Sequence, residues 1–159
     1  MNVNAEQLAA MSEIDLLRTH AATIAELKRR KVVRTRNNPI GDYSVWIVCR
    51  RLSLKMESNP SAPFEAINAQ MRRYKIKGRR EESRSVQLSV IRNLQDEIFE
   101  FLIAVVFNND YSIRFAASIP YKAVVRMSKF KQHVNGHILT LTDDIVQESD
   151  VSDITDILR

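Results

Sequence analysis

The sequence predicts a single α/β domain of the α+β kind, and three observations predict it. Apolar residues recur at helical spacing in the first third of the chain, the period changes to two from Phe64, and Phe101 to Phe107 is a continuous apolar run. At 159 residues, 45% hydrophobic and 27% charged, the chain holds material for one core.

Ser12, followed by Glu13 and Asp15, reads as a helix start, and Ile14, Leu17, Ala21, Ile24 and Leu27 carry that helix to about Arg30. Its basic end suits the helix dipole. Asn37 to Gly41 is a turn cluster, and Asp42 is expected to cap a second helix running from Tyr43 to about Leu54, with Trp46, Ile47, Cys49 and Leu52 apolar. Glu57 to Pro63, rich in serine and proline, reads as a loop. Phe64, Ala66 and Ala69 suggest a short strand, and Arg73 to Lys77 alternates polar and apolar like a half-buried one. Gly78 to Gln95 reads as a basic, polar stretch with room for a loop exposed to solvent. The run Phe101 to Phe107 is the length of a central strand buried on both faces. Asn108 to Asp110 turns the chain into a partner strand from Tyr111 to Ile119. Pro120 then starts a helix to about Lys129, His137 to Leu141 reads as a strand, and Asp153 to Leu158 as a closing helical turn. One domain spanning 1–159 is expected, with a helical region over about 1–36 and an acidic segment over about 143–159.

Composition excludes several functions. The three glycines, Gly41, Gly78 and Gly136, are too far apart for a dinucleotide fingerprint or a P-loop. One cysteine, Cys49, allows no intrachain disulfide and no Cys-rich zinc site, which fits a reducing cytoplasm. Met1 to Met11 lacks the basic and apolar regions of an export signal, and the longest apolar run is about a third of the ~20 residues that cross a bilayer. A cytoplasmic protein with no membrane partner is expected.

Charge is distributed unevenly. Between Lys28 and Arg84 sixteen Lys or Arg face five carboxylates, a local +11, whereas Asp143 to Arg159 carries −5. Basic clusters of that density suit a polyanion, because phosphate contacts release condensed counterions. The same clusters also serve as solvated helix ends and loops, and charge alone does not choose. The acidic tail is open to three readings: a solvated end, a contact for another subunit, or a screen over the basic surface.

Most candidate chemistry reduces to structure. His133 and His137 are four apart, but Gly136 and the lack of neighbouring ligands make a poor metal pair. Cys49 beside Trp46 reads as a buried thiol. Aromatic residues do not interleave with the basic clusters, which argues against a platform for stacking single strands. What remains is Glu65 and Lys77 on the two arms of a hairpin, a carboxylate and an ammonium of the kind used in metal-dependent phosphodiester chemistry.

The segments Asn37 to Tyr43, Phe64-Glu65-Ala66-Ile67 and Tyr74-Lys75-Ile76-Lys77-Gly78-Arg79-Arg80 together resemble a small bacterial and phage family of the restriction-endonuclease-like, or PD-(D/E)XK, superfamily. Ser89 to Arg92, Ile119-Pro120 and Asp150 to Thr155 fit the same pattern, so the resemblance covers most of the chain from Ile14. It implies a mixed sheet flanked by helices and a Mg²⁺-dependent nuclease site. In active relatives a glutamate follows the Gly-Asp-Tyr step, an aspartate lies on the first hairpin strand, and Gln or Glu stands two residues before the lysine. Here those positions carry Val45, Glu65 and Lys75, and only Lys77 matches unchanged.

The leading expectation is therefore a DNA-binding protein with a degenerate catalytic centre, an accessory of bacterial defence or of phage counter-defence. It would use no cofactor and bind duplex DNA through Arg34, Arg36, Arg72, Arg73, Lys75, Arg79, Arg80 and Arg84. The alternatives are a Mg²⁺-dependent endonuclease using Glu65, as ligand, and Lys77, or a protein-interaction module. A homodimer is possible because many proteins of this fold pair to cut two strands. Glu65 and Lys77 are expected within reach of each other on neighbouring strands.

Overall fold

The computed structural model describes residues 4–59 and 61–159. Three helices open the chain: α1 (Ala5–Ala9), α2 (Glu13–Arg29) and α3 (Ile40–Arg51). Four strands follow, β1 (Lys55–Met56), β2 (Ala66–Ile67), β3 (Arg73–Arg80) and β4 (Ser85–Gln87), then β5 (Phe101–Phe107) and β6 (Ile113–Pro120). The last third holds α4 (Tyr121–Met127), β7 (Lys129–Lys131), β8 (Gly136–Ile138), β9 (Thr140–Thr142), β10 (Ser152–Asp153) and α5 (Thr155–Leu158). Among these no helix is long and apolar enough to cross a membrane.

The fold is α+β, built on a mixed six-stranded sheet in the order β1-β2-β3-β5-β6-β10. β5 lies inside it, parallel to β3 with Lys77 opposite Ala104, and antiparallel to β6. Because successive side chains point to opposite faces, its apolar run feeds two cores at once. Ile103, Val105 and Phe107 pack with Val45, Val48 and Cys49 of α3 and Leu158 of α5. Leu102, Ala104 and Val106 pack with Ala123 and Val124 of α4 and with Val86 and Leu141 of the small β4-β9 sheet.

β5 coincides with the expected strand, and α2 starts where Ser12 predicts, with the Ser12 hydroxyl accepting from the Asp15 amide. Several elements differ. Asp42 does not cap α3, whose N-cap is Pro39; it sits inside the first turn and reaches back to the preceding loop. β2 is only Ala66–Ile67, leaving Phe64 and Ala69 outside it. The basic, polar stretch Gly78 to Gln95 contains the end of β3 and all of β4, and besides its exposed loop it buries Val86, Leu88, Ile91 and Leu94. The strand expected over His137 to Leu141 breaks at Leu139 into β8, paired with β7, and β9, paired with β4. Pro60, in the expected loop, and Met1 to Val3 lie outside the described residues.

α3 reaches β3 because of one glycine. A Cβ on Gly78 would stand 1.7 Å from Ser44 Oγ and 3.2 Å from the Ile40 carbonyl oxygen. Its absence lets the first turns of α3 lie directly on the strand, which brings Gly41 and Asp42 beside Lys77.

Candidate functional site

β2 begins at Ala66, opposite Tyr74, so past Lys75 the edge of β3 has no strand beside it. An unpaired strand amide needs an acceptor. Glu65 supplies it: its own amide donates to the Tyr74 carbonyl at 2.9 Å, and its Oε2 accepts the Ile76 N–H at 2.7 Å. The other carboxylate oxygen, Oε1, lies 3.3 Å from Lys75 Nζ, which also donates to the Pro63 carbonyl at 2.8 Å. Lys75 and Glu65 are both largely shielded, with side chains 13% and 21% exposed.

Above this pair opens a cleft of about 320 Å³ between the start of α3 and the β3 edge. Asp42, Val45, Glu65, Lys77 and Ser89 line it, together with Arg34 and the Asn37-Asn38 turn. The structure thus brings together Glu65, Lys77, Val45 and, through its pair with Glu65, Lys75. Lys77 does not take the carboxylate; Lys75 does.

Lys77 is held below the ordinary lysine pKa, first by its burial and then by the positive charges of Lys75 and Arg92, against the pull of Glu65. Asp42 is the other carboxylate of the cleft. Burial pushes its pKa up, but the amides of Thr35 and Arg34, the Thr35 hydroxyl and the Arg34 charge together hold it below the ordinary value. Its Oδ2 accepts from the Arg34 and Thr35 amides at 2.9 and 2.8 Å and from Thr35 Oγ1 at 3.0 Å.

This donor set does not fit Mg²⁺. A hard cation wants about six oxygen ligands. Here both oxygens of Glu65 and one of Asp42 are already engaged by N–H and O–H donors, and the cleft's other lining includes the apolar Val45 and the cationic Lys77 and Arg34. Among the described residues no group of three His, Cys, Asp or Glu side chains is placed to hold a metal ion.

The other basic residues divide into distinct sets. Strand alternation puts Lys75, Lys77 and Arg79 on one face of β3, and the Arg79 side chain is exposed. Arg80 turns to the opposite face and lies over the Tyr111 ring at 4.7 Å, sharing an apolar groove with Arg36. At the far end of the strand Arg73 is engaged by the Glu100 carboxylate and donates to the Glu97 carbonyl, while Arg72 lies over Phe101. Arg84 is exposed in the loop before β4.

Thr35 and Ser89, which the sequence does not single out as site residues, also line the cleft, and the charge of Arg92 acts on Lys77. The acidic tail is bound to arginines elsewhere. Asp143 pairs with Arg114 at 3.1 Å, and Glu148 and Asp150 pair with Arg126 at 3.2 and 3.0 Å. Cys49 is buried, and burial pushes its thiol up to about 11. His137 sits in β8 against Phe130, and His133 in the turn before it. No protein-family model matches the chain, and no curated protein matches it.

Proposed function

We propose that the protein binds the phosphate backbone of duplex DNA at this cleft, without metal and without cleaving it. The observation that supports the reading is the Lys77 ammonium, which lines the cleft while Lys75 takes the Glu65 carboxylate. Arg34 also lines the cleft, Arg92 adds positive charge near Lys77, and Arg79 stands exposed on the same face of β3. The resemblance to the restriction-endonuclease-like superfamily is consistent with a cleft that retains the nucleic-acid surface and has lost the metal ligands. Contacts of this sort fix position on a duplex but read no bases, so binding is expected to be insensitive to sequence and weakened by salt.

One observation favours a second reading, a Mg²⁺-dependent endonuclease: Asp42, Glu65 and Lys77 do line one cleft. The two are separated by incubating the protein with labelled duplex and Mg²⁺ and resolving the products. The first reading expects a shifted, intact duplex. Cleavage that disappears in both Glu65→Ala and Lys77→Ala establishes the second.

A further inference from the structure

Four charged side chains line the cleft: Arg34, Asp42, Glu65 and Lys77. Three of them are engaged, since Asp42 holds Arg34 and the Thr35 amide while Glu65 takes Lys75 and the Ile76 amide. Lys77 alone makes no hydrogen bond or ion pair with a described residue, and its half-buried ammonium is not sealed from the cleft. A half-buried cation without a partner costs stability rather than supplying it, which points to a use outside the fold.

The surroundings of Lys77 favour the amine over the ammonium. Burial acts first, and the charges of Lys75 and Arg92 add to it. A lysine desolvated next to other cations is suited to attack a carbonyl carbon, because the free amine is the nucleophile. Lys75 is no competitor, being engaged by Glu65 and by the Pro63 carbonyl.

The cleft narrows the choice of carbonyl. At about 320 Å³ it stands at the small end of ligand sites, and no aromatic residue lines it, so a nucleobase has nothing to stack on. A sugar that has lost its base needs no such platform. In its ring-opened form the deoxyribose of an abasic site carries an aldehyde at C1′ and is flanked by phosphates. Arg34 in the cleft and the exposed Arg79 on the same face of β3 offer cations to those phosphates.

We propose that Lys77 captures the aldehyde of an abasic site in duplex DNA as an imine. The inference rests on the DNA-binding reading and adds a lesion to it. The free amine attacks C1′ to form the N–C bond, and the carbonyl oxygen is protonated and leaves as water. The product is an iminium that keeps the single positive charge of the starting ammonium, so no oxidant, reductant or metal enters. Strand scission would need a base for the C2′ proton. Both carboxylates of the cleft are engaged, so the strand is expected to stay whole and the adduct to reverse by hydrolysis.

The test incubates the full chain at low ionic strength with end-labelled duplex carrying one abasic site and with sodium cyanoborohydride, which reduces the iminium to a stable secondary amine. Denaturing gels should show one strand joined to one 18.3 kDa chain, and peptide mass mapping should place the adduct on Lys77. Intact duplex should bind without cross-linking. Lys77→Arg keeps a cation but forms no imine; it should retain the circular dichroism spectrum and duplex binding and lose the cross-link. Free 2-deoxyribose 5-phosphate at the same concentration should label Lys77 far less than the abasic duplex does. An adduct spread over the exposed lysines, a Lys77→Arg variant that cross-links like the wild type, or equal labelling by the free sugar phosphate would each overturn the proposal. Binding to intact duplex with no cross-link to the abasic one sinks the imine alone, whereas no binding to either duplex sinks the DNA-binding reading with it.

Discussion

Lys75 and Glu65, ten residues apart in the chain, form a shielded ion pair at the point where β2 stops covering the edge of β3. The Glu65 carboxylate does two things there, since it also closes the open Ile76 amide at 2.7 Å. Replacing it leaves a strand N–H and an ammonium without their acceptor, and an orphaned buried donor costs about 1–3 kcal/mol. Glu65→Ala should lower the unfolding free energy by that amount in urea, and Glu65→Gln, which keeps an acceptor for Ile76, by less. Equal losses would show that the backbone contact contributes nothing.

Lys77 is expected to weaken the fold it sits in. Its pKa is lowered mainly by burial, so the folded state disfavours its charge. Between the folded value and 10.5, the ordinary one, the unfolded chain holds more protons, and stability should rise with pH through that window. Below the window the full cost is present. Lys77→Met should therefore be more stable than wild type at neutral pH, should lose the alkaline rise, and should bind duplex more weakly. Thermal melts from pH 7 to 10.5 check the first two expectations, and a less stable variant contradicts them.

Gly78→Ala should disrupt the cleft through packing alone. The new Cβ would meet Ser44 Oγ at 1.7 Å and Ser44 Cβ at 2.7 Å, so α3 has to move off β3. Overpacking of this kind costs about 1–3 kcal/mol. Adding Ser44→Ala removes the closer contact and should restore part of the loss. Denaturant midpoints of the three variants test this, and a fully additive double variant would be inconsistent with it.

The arginines of β3 should not be equivalent in binding. Arg79 is exposed, whereas the Arg73 charge is engaged by Glu100. Arg79→Ala should lower the slope of log affinity against log salt by about one contact, and Arg73→Ala should leave it nearly unchanged. The same loss of slope in both would place duplex along the whole strand rather than at the cleft.

How much of this the sequence reveals depends on the range of the interaction. Phe101 to Phe107 is legible because burial on both faces requires every side chain to be apolar. The start of α2 is legible because Ser12 and Asp15 are three residues apart. β4 hides among polar residues because it exposes two of its three side chains and pairs with β9, more than fifty residues on. Asp42 has the composition and place of a cap, and only the folded loop shows that its oxygens serve Arg34 and Thr35. Glu65 and Lys77 line one cleft, but only the register of β2 against β3 shows that the Glu65 carboxylate pairs with Lys75. The split of Arg79 and Arg80 follows from strand alternation once β3 is known to continue through Arg80. Nothing in the sequence foretells Arg73 meeting Glu100, 27 residues away.

The proposed metal-free binding of duplex DNA is tested by a fluorescence-anisotropy titration of labelled duplex at low ionic strength, with EDTA and with Mg²⁺ at matched ionic strength. The same affinity is expected in both, weakened many-fold as salt rises, with the duplex recovered intact. Duplex binding that requires Mg²⁺, or none at low salt in EDTA, would contradict it.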